Sequence, residues 1–83
     1  MIGEIKIKKL IHSSAIVSKS AILGNNVTIA PYAIVEENVI IGDNTTIGAN
    51  AHIKPYTTIG KECRIFNGAV LGEIPQDLKF ENE

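Results

Sequence analysis

Aliphatic residues recur at every sixth position along most of this chain. Eleven consecutive positions at this spacing carry isoleucine, valine or leucine. They are Ile11, Val17, Leu23, Ile29, Val35, Ile41, Ile47, Ile53, Ile59, Ile65 and Leu71. A period of six matches neither the period of an amphipathic helix, about 3.6 residues, nor the simple alternation of a hairpin array. It is typical of a hexapeptide β-helix, in which each repeat contributes one short strand and one turn.

The positions between these aliphatic residues repeat with the same spacing. A small or compact side chain follows four residues after each aliphatic position. These side chains are Ala15, Ala21, Val27, Ala33, Val39, Thr45, Ala51, Thr57, Cys63 and Ala69. Glycine is frequent at the first position after the aliphatic residue, proline occurs twice at the second, and asparagine occurs four times at the third. Glycine and asparagine tolerate left-handed backbone angles and proline fixes φ, so these positions predict a turn at each corner.

These repeats predict an all-β protein built as a parallel β-helix. If three hexapeptides close one triangular coil, the structural period is three times six, or 18 residues, and residues 11–76 supply about 3.7 coils. Residues 1–10 do not follow the repeat, and the alternating segment from Ile5 to Lys8 predicts an edge strand that caps the first coil. Residues 11–72 form the β-helix. Residues 73–83 form a loop, at which we expect the array to be truncated.

The fifth position after each aliphatic residue points outward, because neighbouring side chains of a strand face opposite sides. The 18-residue period sorts these side chains onto three faces. The first face carries Ile16, Ile34, His52 and Val70, the second carries Ile22, Ile40 and Thr58, and the third carries Thr28, Thr46 and Arg64. Four outward isoleucines make a larger apolar patch than a small domain usually exposes, although β-branched residues also favour strands for their own sake. We predict a homotrimer that associates through the first and second faces, with the third face in solvent.

Composition and charge exclude several classes of function. The 83 residues form one domain, and a net charge of −1 gives no reason to expect a nucleic-acid partner. No apolar run reaches the length of a membrane span, and the N-terminus has no signal-peptide core. The single cysteine, Cys63, falls at an inward position, where packing in the core is expected rather than thiol chemistry. Together these features predict a cytoplasmic protein, and no residue pattern indicates a cofactor or a metal.

Two segments of the chain resemble one family of hexapeptide enzymes. The run GEIPQDLKF at residues 72–80, directly after the array, and the run IHSSAIV at residues 11–17 are similar to segments of the UDP-N-acetylglucosamine acyltransferases. The resemblance covers almost the whole chain from Ile11 onward and corresponds to the N-terminal portion of such an enzyme. It implies a left-handed coil. It also implies transfer of a 3-hydroxyacyl group, or a similar acyl chain, from acyl carrier protein to the 3-hydroxyl of the sugar in lipid A biosynthesis.

The same resemblance implies a substrate site in the loop that follows the array. Asp77 would accept hydrogen bonds from hydroxyls of the sugar nucleotide, Lys79 would supply a cationic donor in a cleft between neighbouring subunits, and Gln76 would be a further polar contact. A carboxylate suits hydroxyl donors, and an ammonium group suits phosphate or developing negative charge. The chain departs from the family at Asn82, where glycine is more frequent.

We expect no catalytic residue within these 83 positions. Acyl transfer to a hydroxyl needs a general base, and the resemblance implies a histidine several coils further along. His12 falls at a corner of the first repeat, and His52 points outward on the first face, where packing at an interface is expected. We therefore expect the 83 residues alone to be inactive.

The sequence leaves other functions of this fold open. A noncatalytic trimeric β-helix scaffold would have the fold without the chemistry, and a different sugar-nucleotide N-acyltransferase would act on another acceptor. A γ-class carbonic anhydrase needs three zinc-binding histidines, whereas the chain has two. An ice-binding β-helix needs threonines on one flat face, whereas Thr28, Thr46 and Thr58 are divided between two faces.

Overall fold

The computed structural model describes residues 9–72, which form short parallel strands joined by tight turns. The strands are β1 (Lys9–Ile11), β2 (Ile16–Val17), β3 (Ile22–Leu23), β4 (Val27–Ile29), β5 (Ile34–Val35), β6 (Ile40–Ile41), β7 (Thr46–Ile47), β8 (His52–Ile53), β9 (Thr58–Ile59), β10 (Arg64–Ile65) and β11 (Val70–Leu71). Each strand ends at one of the aliphatic residues that are spaced six apart. The predicted all-β fold of hexapeptide repeats is confirmed.

The strands form three parallel sheets around one core. The sheet orders are β1-β4-β7-β10, β11-β8-β5-β2 and β3-β6-β9. Paired residues lie one coil apart, so that Thr28 pairs with Thr46 and Ile34 pairs with His52. Since three strands complete a coil, the described strands make three full coils and two strands of a fourth. This agrees with the predicted coil number.

Strand pairing begins before the hexapeptide pattern does. Lys9 pairs with Val27 and Leu10 with Thr28, so β1 starts two residues ahead of Ile11. The predicted edge strand from Ile5 to Lys8 lies outside the described residues, as does the segment 73–83. The division of the chain into a cap, a β-helix and a loop stays a prediction.

The interior of the coil is a ladder of aliphatic side chains. The buried hydrophobic residues are Val27, Ile29, Ala33, Val35, Val39, Ile41, Ile47, Ala51, Ile53 and Ile59. All of them occupy the positions that the repeat predicts to face inward. Cys63 and Ile65 pack against this core where the fourth coil begins, which confirms the packing role predicted for the cysteine.

Thr45 is a polar side chain in the middle of this apolar interior and is fully buried. Its hydroxyl donates a hydrogen bond to the carbonyl of Gly60 at 2.7 Å and accepts one from the backbone N–H of Cys63 at 3.1 Å. A buried polar group without a partner costs about 1–3 kcal/mol. Thr45 therefore satisfies two backbone groups in the turn that connects the third coil to the fourth.

From the second coil onward, the corners turn through a left-handed residue at the third position of each repeat. From Asn26 to Gly68, every sixth residue has a φ between 56° and 76°. These residues are Asn26, Tyr32, Asn38, Asn44, Asn50, Tyr56, Glu62 and Gly68. The asparagines agree with the sequence analysis, whereas the two tyrosines and the glutamate do not have the intrinsic preference for this conformation. From the second coil onward the coil imposes the angle whatever the residue type, whereas Ser14 and Ser20, which hold the same position in the first coil, do not adopt it.

Two glycines at the first position of the repeat, Gly42 and Gly48, serve a purpose other than the predicted one. Neither Gly42 nor Gly48 has a left-handed backbone. A methyl group added at Gly42 would lie 2.7 Å from the backbone carbon of Gly60, and one added at Gly48 would lie 2.6 Å from the backbone nitrogen of Asn67. The prediction of left-handed angles was wrong at these positions. Glycine is present there because the next coil lies too close for any side chain.

Candidate functional site

The predicted substrate residues Gln76, Asp77 and Lys79 lie outside the described residues, and their role stays a prediction. The structure does describe the strand that precedes these residues in the chain. The carbonyl of Leu71 accepts a hydrogen bond from the N–H of Lys54 at 2.9 Å. Gly72 follows with a φ of 87°, a conformation that favours glycine. Strand β11, which is hydrogen-bonded to the third coil, therefore ends directly before the residues in which the substrate loop is predicted.

The outward residues of the first face form one continuous column. Ile16 pairs with Ile34, Ile34 with His52, and His52 with Val70 in successive coils. Ile16 is 64% exposed and Val70 is 53% exposed. The predicted membership of the first face is confirmed, and the column presents apolar side chains to solvent.

His52 interrupts this column with a polar group that has a partner. Its Nε2 is hydrogen-bonded to Oε2 of Glu36, and the two form a salt bridge when the imidazole is protonated. Glu36 directly follows β5 and precedes His52 by 16 residues, so the 18-residue period did not predict the contact. The sequence signal for this contact was the position of Glu36 at the corner directly after β5, because β5 carries Ile34, the partner of His52 in the column. The carboxylate of Glu36 therefore orients the imidazole of His52.

The second face is also apolar, and the third face is mixed. Ile22 pairs with Ile40 and Ile40 with Thr58, which confirms the second face. Ile22 is 62% exposed and Ile40 is 43% exposed. On the third face, Leu10 pairs with Thr28 and is largely exposed. Sequence analysis missed Leu10, although extending the 18-residue period one coil back from Thr28 would have found it.

His12 lies at the first corner, as predicted, and its ring is part of a turn. Its Nδ1 accepts hydrogen bonds from the N–H of Ser14 at 3.1 Å and from the Ser14 hydroxyl at 2.8 Å. That hydroxyl oxygen also accepts the N–H of Tyr32 at 3.0 Å. Because the N–H of Ser14 can only donate, Nδ1 is unprotonated in this arrangement. His12 and Ser14 together fasten the first coil to the second.

Across residues 9–72, no three side chains of histidine, cysteine, aspartate or glutamate come together as a metal-binding group. That same stretch holds no helix with the length and apolar character needed to cross a membrane.

Comparison with known proteins places the repeat in a family. The sequence pattern of the bacterial transferase hexapeptide family (six repeats) matches residues 20–55 and residues 38–73. The acyl-acyl-carrier-protein–UDP-N-acetylglucosamine O-acyltransferase of Chlorobaculum tepidum is 62% identical over 73 residues, which are 88% of this chain and 28% of that enzyme. The chain therefore belongs to the bacterial transferase hexapeptide family.

Solved structures agree with this family assignment and indicate which enzymes of the family the chain resembles. The UDP-N-acetylglucosamine acyltransferase from Campylobacter jejuni matches with a TM-score of 0.78 and 43% identity, over 84% of this chain and 28% of that one. LpxA from Acinetobacter baumannii matches with a TM-score of 0.80 and 40% identity, over 89% of this chain and 29% of that one. The chain is a homologue of the UDP-N-acetylglucosamine acyltransferases, and it spans little more than a quarter of the length of these relatives. The predicted resemblance to the UDP-N-acetylglucosamine acyltransferases is confirmed.

Proposed function

We propose that the chain is the N-terminal β-helix portion of an enzyme that acylates UDP-N-acetylglucosamine. The enzyme transfers a (3-hydroxy)acyl group from acyl carrier protein to the 3-hydroxyl of the sugar, in the cytoplasm, as a step of lipid A biosynthesis. The observation that carries this proposal is the 62% identity over 73 residues to a relative whose name states both the acyl carrier and the acceptor.

In this proposal the β-helix positions the substrate loop. Gln76, Asp77 and Lys79 follow Gly72 within seven residues, and the backbone of Leu71 is hydrogen-bonded to the third coil. A loop that leaves a rigid scaffold at a fixed point loses less conformational entropy when it binds a ligand. Asp77 accepts hydrogen bonds from sugar hydroxyls, and Lys79 interacts with negative charge on the nucleotide.

The proposal includes a homotrimer in which the substrate cleft lies between subunits. The first and second faces supply the contacts, since Ile16, Ile22, Ile40 and Val70 expose between 43% and 64% of their surface. Exposed apolar columns on adjoining faces are the feature expected of a self-associating prism. The third face, with Thr28, Thr46 and Arg64, stays in solvent.

We further propose that the 83 residues by themselves do not catalyse the acyl transfer. The reaction needs a general base within reach of the attacking hydroxyl. His12 uses Nδ1 as an acceptor within its own turn, and His52 is held by Glu36 on an apolar face. Both histidines therefore have structural partners, and neither lies beside the predicted loop residues in sequence.

Binding can be tested separately from catalysis. We expect titration of the chain with UDP-N-acetylglucosamine to shift the backbone NMR signals of Asp77 and Lys79, and the variants D77N and K79Q to weaken binding. Glu62→Gln is the matched control, because it changes an exposed charge at a corner of the coil. Shifts confined to other residues, or equal binding by D77N, would contradict the proposed site.

Activity is tested with acyl-acyl carrier protein as the donor. We expect the chain alone to form no acylated sugar nucleotide above the background of a reaction without protein. Product that depends on the chain would show that the proposed inactivity is wrong.

A further inference from the structure

Gly72 is the residue at which the backbone departs from the path of the coil. It stands at the first position of its corner, directly after β11, and the residues that stand there in the three lower coils are Ser18, Glu36 and Lys54. None of those three has a positive φ, whereas Gly72 has a φ of 87°. In the corner directly below, the left-handed residue is Tyr56, at the third position. The left-handed turn therefore comes two positions earlier at Gly72 than the coil dictates.

The space around Gly72 leaves no room for a side chain. A Cβ added to this residue would lie 3.2 Å from the Cβ atoms of both Lys54 and Thr57, and it would overlap Oγ1 of Thr57. A residue with a Cβ is also strained at positive φ, whereas glycine is not. Glycine is thus required at position 72 for two reasons, the backbone angle and the contact with the third coil.

The hydrogen bond that links the third coil to the fourth at Thr45 cannot be repeated at Thr57. The two threonines occupy the same position of the repeat, and the hydroxyl of Thr45 accepts the N–H of Cys63, which lies 18 residues further along. The same count from Thr57 leads to Pro75. Proline has no N–H to donate. This difference in sequence agrees with the backbone angle of Gly72, which leaves the path of the coil three residues before Pro75.

We propose that Gly72 is a positioning residue of the substrate site, because its left-handed turn against Thr57 sets the direction in which the chain continues. The residues that it positions are Gln76, Asp77 and Lys79. The inference rests on the proposed function, in which these residues bind UDP-N-acetylglucosamine. A hydrogen bond needs its heavy atoms within about 3.2 Å of each other. A changed backbone angle five residues before Asp77 would therefore move its carboxylate away from the sugar hydroxyls.

Gly72→Ala tests the inference, with UDP-N-acetylglucosamine as the ligand. The dissociation constant is measured by calorimetric titration of the whole chain, and urea unfolding shows that the variant is folded under the conditions of the titration. We expect the dissociation constant to rise about tenfold, because a left-handed backbone is disfavoured by about that factor for a residue with a Cβ.

Gly68→Ala is the matched control. Gly68 has a φ of 76° in the turn between β10 and β11, and no atom of the described residues lies within 4 Å of a Cβ at this position. The control carries the same kind of backbone strain in the same coil, without a contact to the third coil and away from the start of the substrate residues. We expect G68A to be less stable than the wild-type chain and to bind the sugar nucleotide equally well. Equal weakening of binding by G68A and G72A would point to general strain in the fourth coil and would overturn the inference.

Replacement of Gly72 by D-alanine isolates the backbone angle. A D-residue favours positive φ, since its steric preferences mirror those of an L-residue. The chain has one cysteine, Cys63, at which two synthetic peptides can be joined by chemical ligation. We expect the D-alanine chain to bind as tightly as the wild-type chain, and this variant keeps the test decisive if Gly72→Ala does not fold. Weak binding by the D-alanine chain would overturn the role given to the left-handed turn.

The remaining outcomes separate this inference from the proposed function. If Gly72→Ala is folded and binds as tightly as the wild-type chain, Gly72 does not position the site, while the proposed substrate residues stand. If the wild-type chain does not bind UDP-N-acetylglucosamine at any concentration, the proposed substrate site itself is wrong, and the inference falls with it.

Discussion

A methyl group at Gly42 should separate two coils of the β-helix. The Cβ of Gly42→Ala would lie 2.7 Å from the backbone carbon of Gly60 and 2.7 Å from the backbone nitrogen of Lys61. Ordinary contacts of a Cβ begin at 3.4 Å, so the coils would have to move apart by 3.4 − 2.7, or 0.7 Å. Both obstacles are backbone atoms, which cannot rotate away as a side chain can.

The cost follows from the same geometry. The N–H of Gly42 donates to the carbonyl of Ile59 at 2.8 Å, and a shift of 0.7 Å would lengthen this distance to 3.5 Å. At that length the hydrogen bond is lost, which costs about 0.5–1.5 kcal/mol. Overpacking adds about 1–3 kcal/mol. We therefore expect Gly42→Ala to lower the free energy of unfolding by about 2–4 kcal/mol.

Gly60→Ala is the matched control, because Gly60 occupies the same corner one coil later. Among the described residues, nothing lies within 4 Å of a Cβ at this position, and its φ is not positive. Alanine restricts the unfolded chain, so we expect the free energy of unfolding to stay unchanged or to rise by about 0.4–1 kcal/mol.

The two variants are compared by urea unfolding, followed by circular dichroism at one protein concentration. If the free energy of unfolding depends on urea concentration with the same slope in both variants, the difference between their unfolding midpoints reflects a difference in stability. If the free energies of unfolding of Gly42→Ala and Gly60→Ala differ by less than about 0.5 kcal/mol, the backbone of the next coil does not lie too close for a Cβ at position 42. The explanation given for Gly42 and Gly48 would then be wrong.

Three further substitutions test the core and the corners by the same unfolding assay. Ile47→Ala, at a fully buried position, should cost about 2–5 kcal/mol, whereas Leu10→Ala on the solvent-exposed third face should cost far less; similar losses would contradict the assignment of the interior. Thr45→Val should cost about 1–3 kcal/mol, since it leaves both backbone partners of the hydroxyl unsatisfied, and Thr46→Val on the exposed third face should be nearly neutral. Asn50→Ala should cost about 1 kcal/mol, because alanine is strained at a φ of 61°; a neutral result would argue against the left-handed corner.

The sequence predicted the coil and its surfaces because both depend on spacing alone. An inward position stays inward in every coil, so the burial of Ile29 and Ile47 could be predicted without knowledge of any contact. The outward columns follow from the same count, as the pairing of Ile16 with Ile34 shows. Regular parallel pairing makes the position within the repeat equivalent to the position in space.

Interactions between different positions of the repeat could not be predicted in this way. Glu36 contacts His52 across 16 residues, and the hydroxyl of Thr45 donates across 15 residues to Gly60. Such contacts depend on side-chain direction as well as register. The left-handed angle of Tyr32 was missed for another reason, because tertiary structure there overrides the preference of the residue. The substrate residues were predicted from the family resemblance and not from the repeat.

The parallel pairing of each strand with the strands one turn before and after it has a consequence for how such a chain can evolve. Duplication of a single hexapeptide would preserve the interior pattern, yet it would rotate every downstream surface by one third of a circle. Duplication of three hexapeptides would lengthen the prism and return each surface to its original orientation. Lineages can therefore change the height of this scaffold in steps of 18 residues with the exterior intact, whereas steps of six redistribute the exterior and leave the interior as it was.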